Sequence, residues 1–81
     1  MPLIVSFRVL PDGPQNVVAV KNELMGLQPN FLVEEPLVFG LSSFKFTKIV
    51  PDETHVGKVE EGIKKVSGVV GVERISIRES P

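Results

Sequence analysis

Apolar residues occupy every second position over residues 3–9. Leu3, Val5, Phe7 and Val9 share one side, and Ile4, Ser6, Arg8 and Leu10 the other. Side chains of a strand alternate between faces, so the wholly apolar set predicts a strand with that set turned to a core. The run "PDGP" (Pro11–Pro14) ends it. From Gln15 the period lengthens. Val17, Val20, Leu24 and Leu27 form a helical stripe, with Lys21, Asn22 and Glu23 outside it. Asn16 or Asp12 is the candidate cap. Pro29 disfavours helix at the residue before it and closes this element.

Phe31–Glu35 reads as a short strand, Pro36 as a turn or kink, and Leu37–Val50 as a long strand stopped by "PDET" (Pro51–Thr54). Asp52 or Thr54 caps a second helix with Val56, Val59, Ile63 and Val66 as its buried stripe. Lys58, Glu60, Glu61, Lys64 and Lys65 lie outside that stripe, Gly62 weakens the helix, and Gly68 is a candidate C-cap. Gly71–Glu79 is the last strand, with Ile75 and Ile77 on one face and Arg74, Ser76 and Arg78 on the other. Val70 and Val72 have the wrong parity to join the isoleucines. The strand therefore either starts near Glu73 or carries a bulge.

The order β-α-β-β-α-β, with right-handed crossovers, predicts an α+β ferredoxin-like sandwich: a four-stranded antiparallel sheet with two helices on one face. The first and third strands should be central. The length of 81 residues makes one domain, residues 1–81.

Parity then divides the long third strand. Val38, Phe44 and Phe46 should face the core. Phe39, Leu41, Ser43, Lys45 and Thr47 should face away, joined by Ser6 and Arg8 from the first strand and Arg74, Ser76 and Arg78 from the last. This outer face is polar and basic. One explanation is that an uncovered antiparallel face must be soluble. The other is a docking surface for something anionic. Phe39 breaks the polar pattern, and Gly40 beside it marks either a bulge or a close approach of another backbone. Single exposed apolar residues are ordinary. An aromatic presented outward is also the kind of residue that anchors an interface.

Composition narrows the chemistry. The chain has no Cys, which excludes disulfides, thiolate metal sites and thiol nucleophiles, and its formal net charge is −1. Bulk charge therefore favours neither nucleic acid nor an acidic membrane surface, and apolar runs such as Leu3–Val5 are far below a membrane span. The start "MPLIVSFRVLPDG" meets a Pro and an Asp too early for a signal segment. A soluble cytoplasmic protein is expected. His55 is the only His and sits at the start of the second helix. The doublets Glu34/Glu35 and Glu60/Glu61 are adjacent in sequence, so neither converges on one point. The run "GVVGV" (Gly68–Val72) follows a helix and so is no phosphate loop. Neither catalysis nor a cofactor or metal is expected. RNA-binding domains of this topology stack bases on outward aromatics of the central strands. Here Phe7, Phe44 and Phe46 have inward parity. A ligand-sensing module of the ACT type shares the element order and the Gly-Val run, and metal carriers of this topology need a Cys pair.

The stretch "EEPLVFGLSSFKF" (Glu34–Phe46) resembles the guanine-nucleotide exchange domain of translation elongation factor 1-beta, particularly its short archaeal form. That family carries an E-P-apolar-apolar-F-G-L run, matched by Glu35, Pro36, Leu37, Val38, Phe39, Gly40 and Leu41. "FRVLPDGP" (Phe7–Pro14) is similar to its first strand and turn, and "VEEGIKKVSGVVGVERISI" (Val59–Ile77) to its second helix and last strand. The likeness spans essentially the whole chain. It implies the ferredoxin-like fold and a binding partner, the GTPase elongation factor 1-alpha, whose GDP release the family speeds during aminoacyl-tRNA delivery. It implies that Phe39, flanked by Pro36 and Gly40, presses into the GTPase near its switch region. Eukaryotic members add a C-terminal Lys that disturbs the magnesium and phosphate site. This chain has Glu79 or Ser80 about there, and Arg78 is the nearest cation. Arg8, Lys45, Arg74 and Arg78 would supply charge complementarity. No contact with membrane or DNA is expected, and none with RNA is implied. An RNA-binding or ACT-like ligand-sensing module is the alternative.

Overall fold

The computed structural model describes residues 1–80. Strand β1 (Leu3–Pro11) is followed by a short 3₁₀ turn (Pro14–Asn16) and helix α1 (Val17–Gly26). Strand β2 (Phe31–Pro36) and strand β3 (Ser42–Val50) are joined through a second 3₁₀ turn (Val38–Gly40). Helix α2 (Glu53–Lys64) and strand β4 (Val69–Glu79) complete the chain. The strands form one antiparallel sheet in the order β2-β3-β1-β4, so β1 and β3 are central. This is the ferredoxin-like α+β fold.

The first alternation is realised as read. Val5, Phe7 and Val9 are fully buried, with Phe44 and Phe46 of β3 against them. Val20 and Leu24 of α1 and Val56 and Ile63 of α2 close this core from the other side. Burying each phenyl side chain stabilises the fold by about 1.5–3 kcal/mol. At the start of α2 the Asp52 side chain accepts the His55 backbone N–H at 3.1 Å and caps the helix. That bond and a 2.7 Å contact with the His55 ring hold the Asp52 carboxyl below its usual range, the ring contact first. Asn16 flanks α1 without capping it; its side chain donates to the Asp12 carbonyl at 2.6 Å instead. Gly68 lies beyond the end of α2, not at its cap. Its φ is +90°, and a Cβ there would stand 3.2 Å from Val20 Cγ2, where the turn into β4 crosses the start of α1.

Some expectations need correction, and one open choice is resolved. The strand expected over Leu37–Val50 begins at Ser42, and Leu37–Leu41 is the connection from β2. Val38 is therefore 70% exposed rather than inward. Strand β4 carries the bulge that was one of two readings of its parity. Ser6 pairs with Ser76 and Phe7 with Arg74, so Ile75 is the extra residue. A second shift pairs Leu10 with Gly71 and Pro11 with Val69, leaving Val70 extra. These two bulges let Val69, Val72 and Ile77 all pack on the core despite their sequence parity. The bulge at Ile75 also turns Arg74 over: its partner Phe7 faces the helices, and so does Arg74.

Candidate partner-binding surface

The connection between β2 and β3 is built around a left-handed step. Phe39 has φ 60° and ψ 33°, and Gly40 follows with φ +76°. Left-handed backbone suits glycine and disfavours a bulky aromatic by about 1–2 kcal/mol. Two backbone bonds close the tip. The Leu37 N–H donates to the Leu41 carbonyl at 2.8 Å, and the Leu41 N–H to the Val38 carbonyl at 3.3 Å. Gly40 is thus required by its backbone angle. A Cβ at Gly40 would meet only Pro14, at 3.9 Å, so the "PDGP" turn lies beside the tip. Phe39 is 91% exposed at the apex, with Val38 and Leu37 also open. Below the tip is a hollow of about 450 Å3 lined by Arg8, Leu10, Glu35, Pro36, Leu37 and Ser43. Phe39 therefore projects from a closed loop at one end of the sheet. It does not stand on the sheet face as strand parity implied.

The open face of the sheet holds a groove of about 480 Å3. Ser6, Lys45, Thr47, Ser76 and Arg78 line it, as the parity of β1, β3 and the end of β4 predicts. The Ser6 and Thr47 hydroxyls are hydrogen-bonded at 3.0 Å across its floor. Ser43 is outward too, but neighbours on the central strand bury it. Phe31 and Val33 flank Lys45 and form an apolar bank that the sequence reading missed. Their signal was the alternation of Phe31, Val33 and Glu35 against Leu32, which packs on the core.

The four basic residues are not equivalent. Arg8 Nη1 lies 2.9 Å from Glu73 Oε1 on the adjacent strand, so its charge is answered within the sheet. Arg74 is excluded from the open face: it binds Glu60 of α2 through Nε at 3.1 Å and Nη2 at 2.8 Å. Lys64 also reaches Glu60, at 3.1 Å. The Arg74 hydrogen bonds first, and Lys64 next, hold the Glu60 carboxyl below its usual range. Among the described residues Lys45 and Arg78 have no carboxylate within 4.0 Å. The tip is followed by Leu41 and Ser42, and Ser43 and Leu10 line the hollow below it, whereas Arg78 pairs with Ile4. At about 3.3 Å per residue the six-residue step from Leu10 to Ile4 separates the two ends by about 20 Å. The Phe39 tip and Arg78 thus lie toward opposite ends of the sheet, with Lys45 at an intermediate register.

Among the described residues no group of three or more His, Asp or Glu stands close enough to hold a metal ion. No helix there is long and apolar enough to cross a membrane.

A scan against family models and a search of curated proteins gave no match. Solved structures are similar in fold. The solution structure of the ACT domain from GTP pyrophosphokinase of Chlorobium tepidum superposes with a TM-score of 0.73 at 17% identity, covering 93% of this chain and 88% of that one. The crystal structure of the same domain gives 0.70 at 16% identity, covering 93% and 100%. An uncharacterized protein from Thermotoga maritima gives 0.59 at 14% identity, covering 94% and 100%. At these identities the likeness establishes the shared sandwich fold and no function.

Proposed function

We propose that this chain is a guanine-nucleotide exchange domain of the elongation factor 1-beta type, acting on the GTPase elongation factor 1-alpha in the cytoplasm. The observation that carries this reading is the presentation of Phe39. A phenyl ring 91% exposed at the apex of a hydrogen-bonded loop adds nothing to the core. Its left-handed backbone costs the fold free energy, and strain of this kind collects at functional positions. The residues that hold it, from Pro36 to Leu41, are those of the run that resembles the family.

Exchange by such a domain involves no chemical step of its own. A factor that binds the nucleotide-free GTPase more tightly than the GDP form weakens GDP by the same free energy. Phe39 supplies an anchor that fits one switch conformation better than the other. Lys45 and Arg78, which meet no carboxylate among the described residues, speed encounter with an acidic partner surface. Phe39 and Arg78 stand toward opposite ends of the sheet, so they act at separate points on the GTPase. The RNA-binding reading is weaker, because Phe7, Phe44 and Phe46 are fully buried and the central strands offer no stacking ring.

The test is release of fluorescent GDP from elongation factor 1-alpha, with and without the chain. Acceleration that saturates with concentration supports the reading. An unchanged release rate overturns it.

A further inference from the structure

A third cavity, of about 260 Å3, opens on the helix side of the sheet, between α2, the end of β3 and the end of α1. Its walls are apolar, formed by Leu27, Phe46, Val50 and Val59. Gly62 of α2 also lines it, and a Cβ there would meet no atom within 4 Å. Glycine inside a helix weakens it relative to alanine, so the position leaves room at a cost to the helix.

Two ammonium groups, of Lys48 and Lys58, stand at the mouth. Lys48, His55 and Lys58 stand around it, and no carboxylate is among the lining residues. The Lys48 ammonium donates to the backbone carbonyls of Leu27 and Gln28, both at 3.0 Å. Asp52 is turned to the backbone and ring of His55. Among the described residues no carboxylate lies within 4.0 Å of Lys48 or Lys58.

An apolar hollow ending in a cationic rim is complementary to an amphipathic anion. A dry cavity of about 150 Å3 holds one benzene ring, so this one has room for a medium-length aliphatic chain or an aryl group with a short spacer. We infer that the cavity binds a small apolar carboxylate, its tail between Val59 and Phe46 and its head toward Lys58. This is a ligand site separate from the Phe39 tip and the open face, and it does not depend on the exchange reading.

Sodium octanoate, titrated into the full chain below its micelle concentration, tests this by amide chemical shifts. Saturable shifts centred on Leu27, Ile49, Val59 and Gly62 are expected, with no such response to octylamine. 4-Phenylbutyrate distinguishes the two tails: tighter binding than octanoate assigns an aryl acid, weaker binding an aliphatic one. Gly62→Leu should fill the hollow and abolish the response. Lys58→Glu, on the exposed rim, should weaken octanoate about tenfold without disturbing the fold. Absence of a saturable shift, or an equal response to octylamine, overturns the inference. So does undiminished octanoate binding in Lys58→Glu.

Discussion

Arg74 reaches across from β4 to Glu60 on α2, its Nη2 2.8 Å from Oε1, because Ile75 bulges out of the strand between Ser76 and Arg74. Were Ile75 paired as in a regular strand, the guanidinium would stand on the open face beside Ser76 and Arg78. The contact fastens α2 to the edge of the sheet on the side opposite the proposed docking surface.

Two results follow for this pair. Arg74→Ala should leave GDP release at the wild-type rate, and lower stability by no more than about 1 kcal/mol, since the pair is partly exposed to water. The Glu60 carboxyl is held below its usual range in the folded state, by Arg74 first. Its contribution to stability is therefore complete above the unfolded value and disappears as pH falls through the folded one. Urea midpoints of wild type and Arg74→Ala should differ near neutrality and converge from about pH 5 downward. A gap that widens in acid contradicts the assignment.

The open-face cations should separate by their pairing. Lys45→Ala and Arg78→Ala remove charges that no carboxylate among the described residues answers, so both should slow association with the GTPase and flatten its salt dependence. Arg8→Ala frees Glu73 at the same time and reverses a neutralised pair into a negative charge. Its effect on association should be repulsive and should vanish in Arg8→Ala/Glu73→Ala. Stopped-flow association rates at two ionic strengths check all four proteins. Equal losses for Arg8→Ala and the double variant would show that Arg8 itself touches the partner.

The core and topology were legible because period alone decides them. Val5, Phe7 and Val9 could satisfy only one face, and the stripe from Val56 to Val66 only one side of a helix. The errors come from places where one residue is added to a strand or taken from it. Ile75 and Val70 are unpaired extras, and nothing local in "GVVGVERISI" says which residue is skipped. Arg74 was misplaced for that reason alone, although the clash of Val72 with Ile75 parity had signalled a bulge. Phe39 was placed by extending the strand back to Leu37. The Gly after it was the true signal, since a left-handed turn there breaks the alternation. Ion pairs such as Arg8 with Glu73 depend on register between distant strands and leave no trace in sequence order.

Gly62→Ala should stabilise the chain. The new Cβ meets no atom within 4 Å, and alanine restrains the unfolded chain more than glycine does. A gain of about 0.5–1 kcal/mol in urea unfolding is expected. Gly68→Ala should go the other way, because its φ is +90° and the added carbon would press on Val20. A loss at Gly62 would mean that the helix is closed more tightly there than the geometry indicates.

Phe39→Asn separates the strain at the tip from the contact it serves. Asparagine tolerates left-handed backbone far better than phenylalanine, and the lost ring was not packed in the core. Stability should therefore hold or rise by up to about 1 kcal/mol. Exchange should behave oppositely. An anchor residue is worth at least about 2 kcal/mol at an interface, so acceleration of GDP release should fall roughly 30-fold at a fixed concentration of the domain. Phe39→Tyr keeps the ring and should retain most activity. A variant that is both more stable and inactive would show that the strained backbone is kept for what Phe39 touches outside the chain. Wild-type exchange by Phe39→Asn would remove Phe39 from the mechanism, and the exposure of its ring would then need another partner.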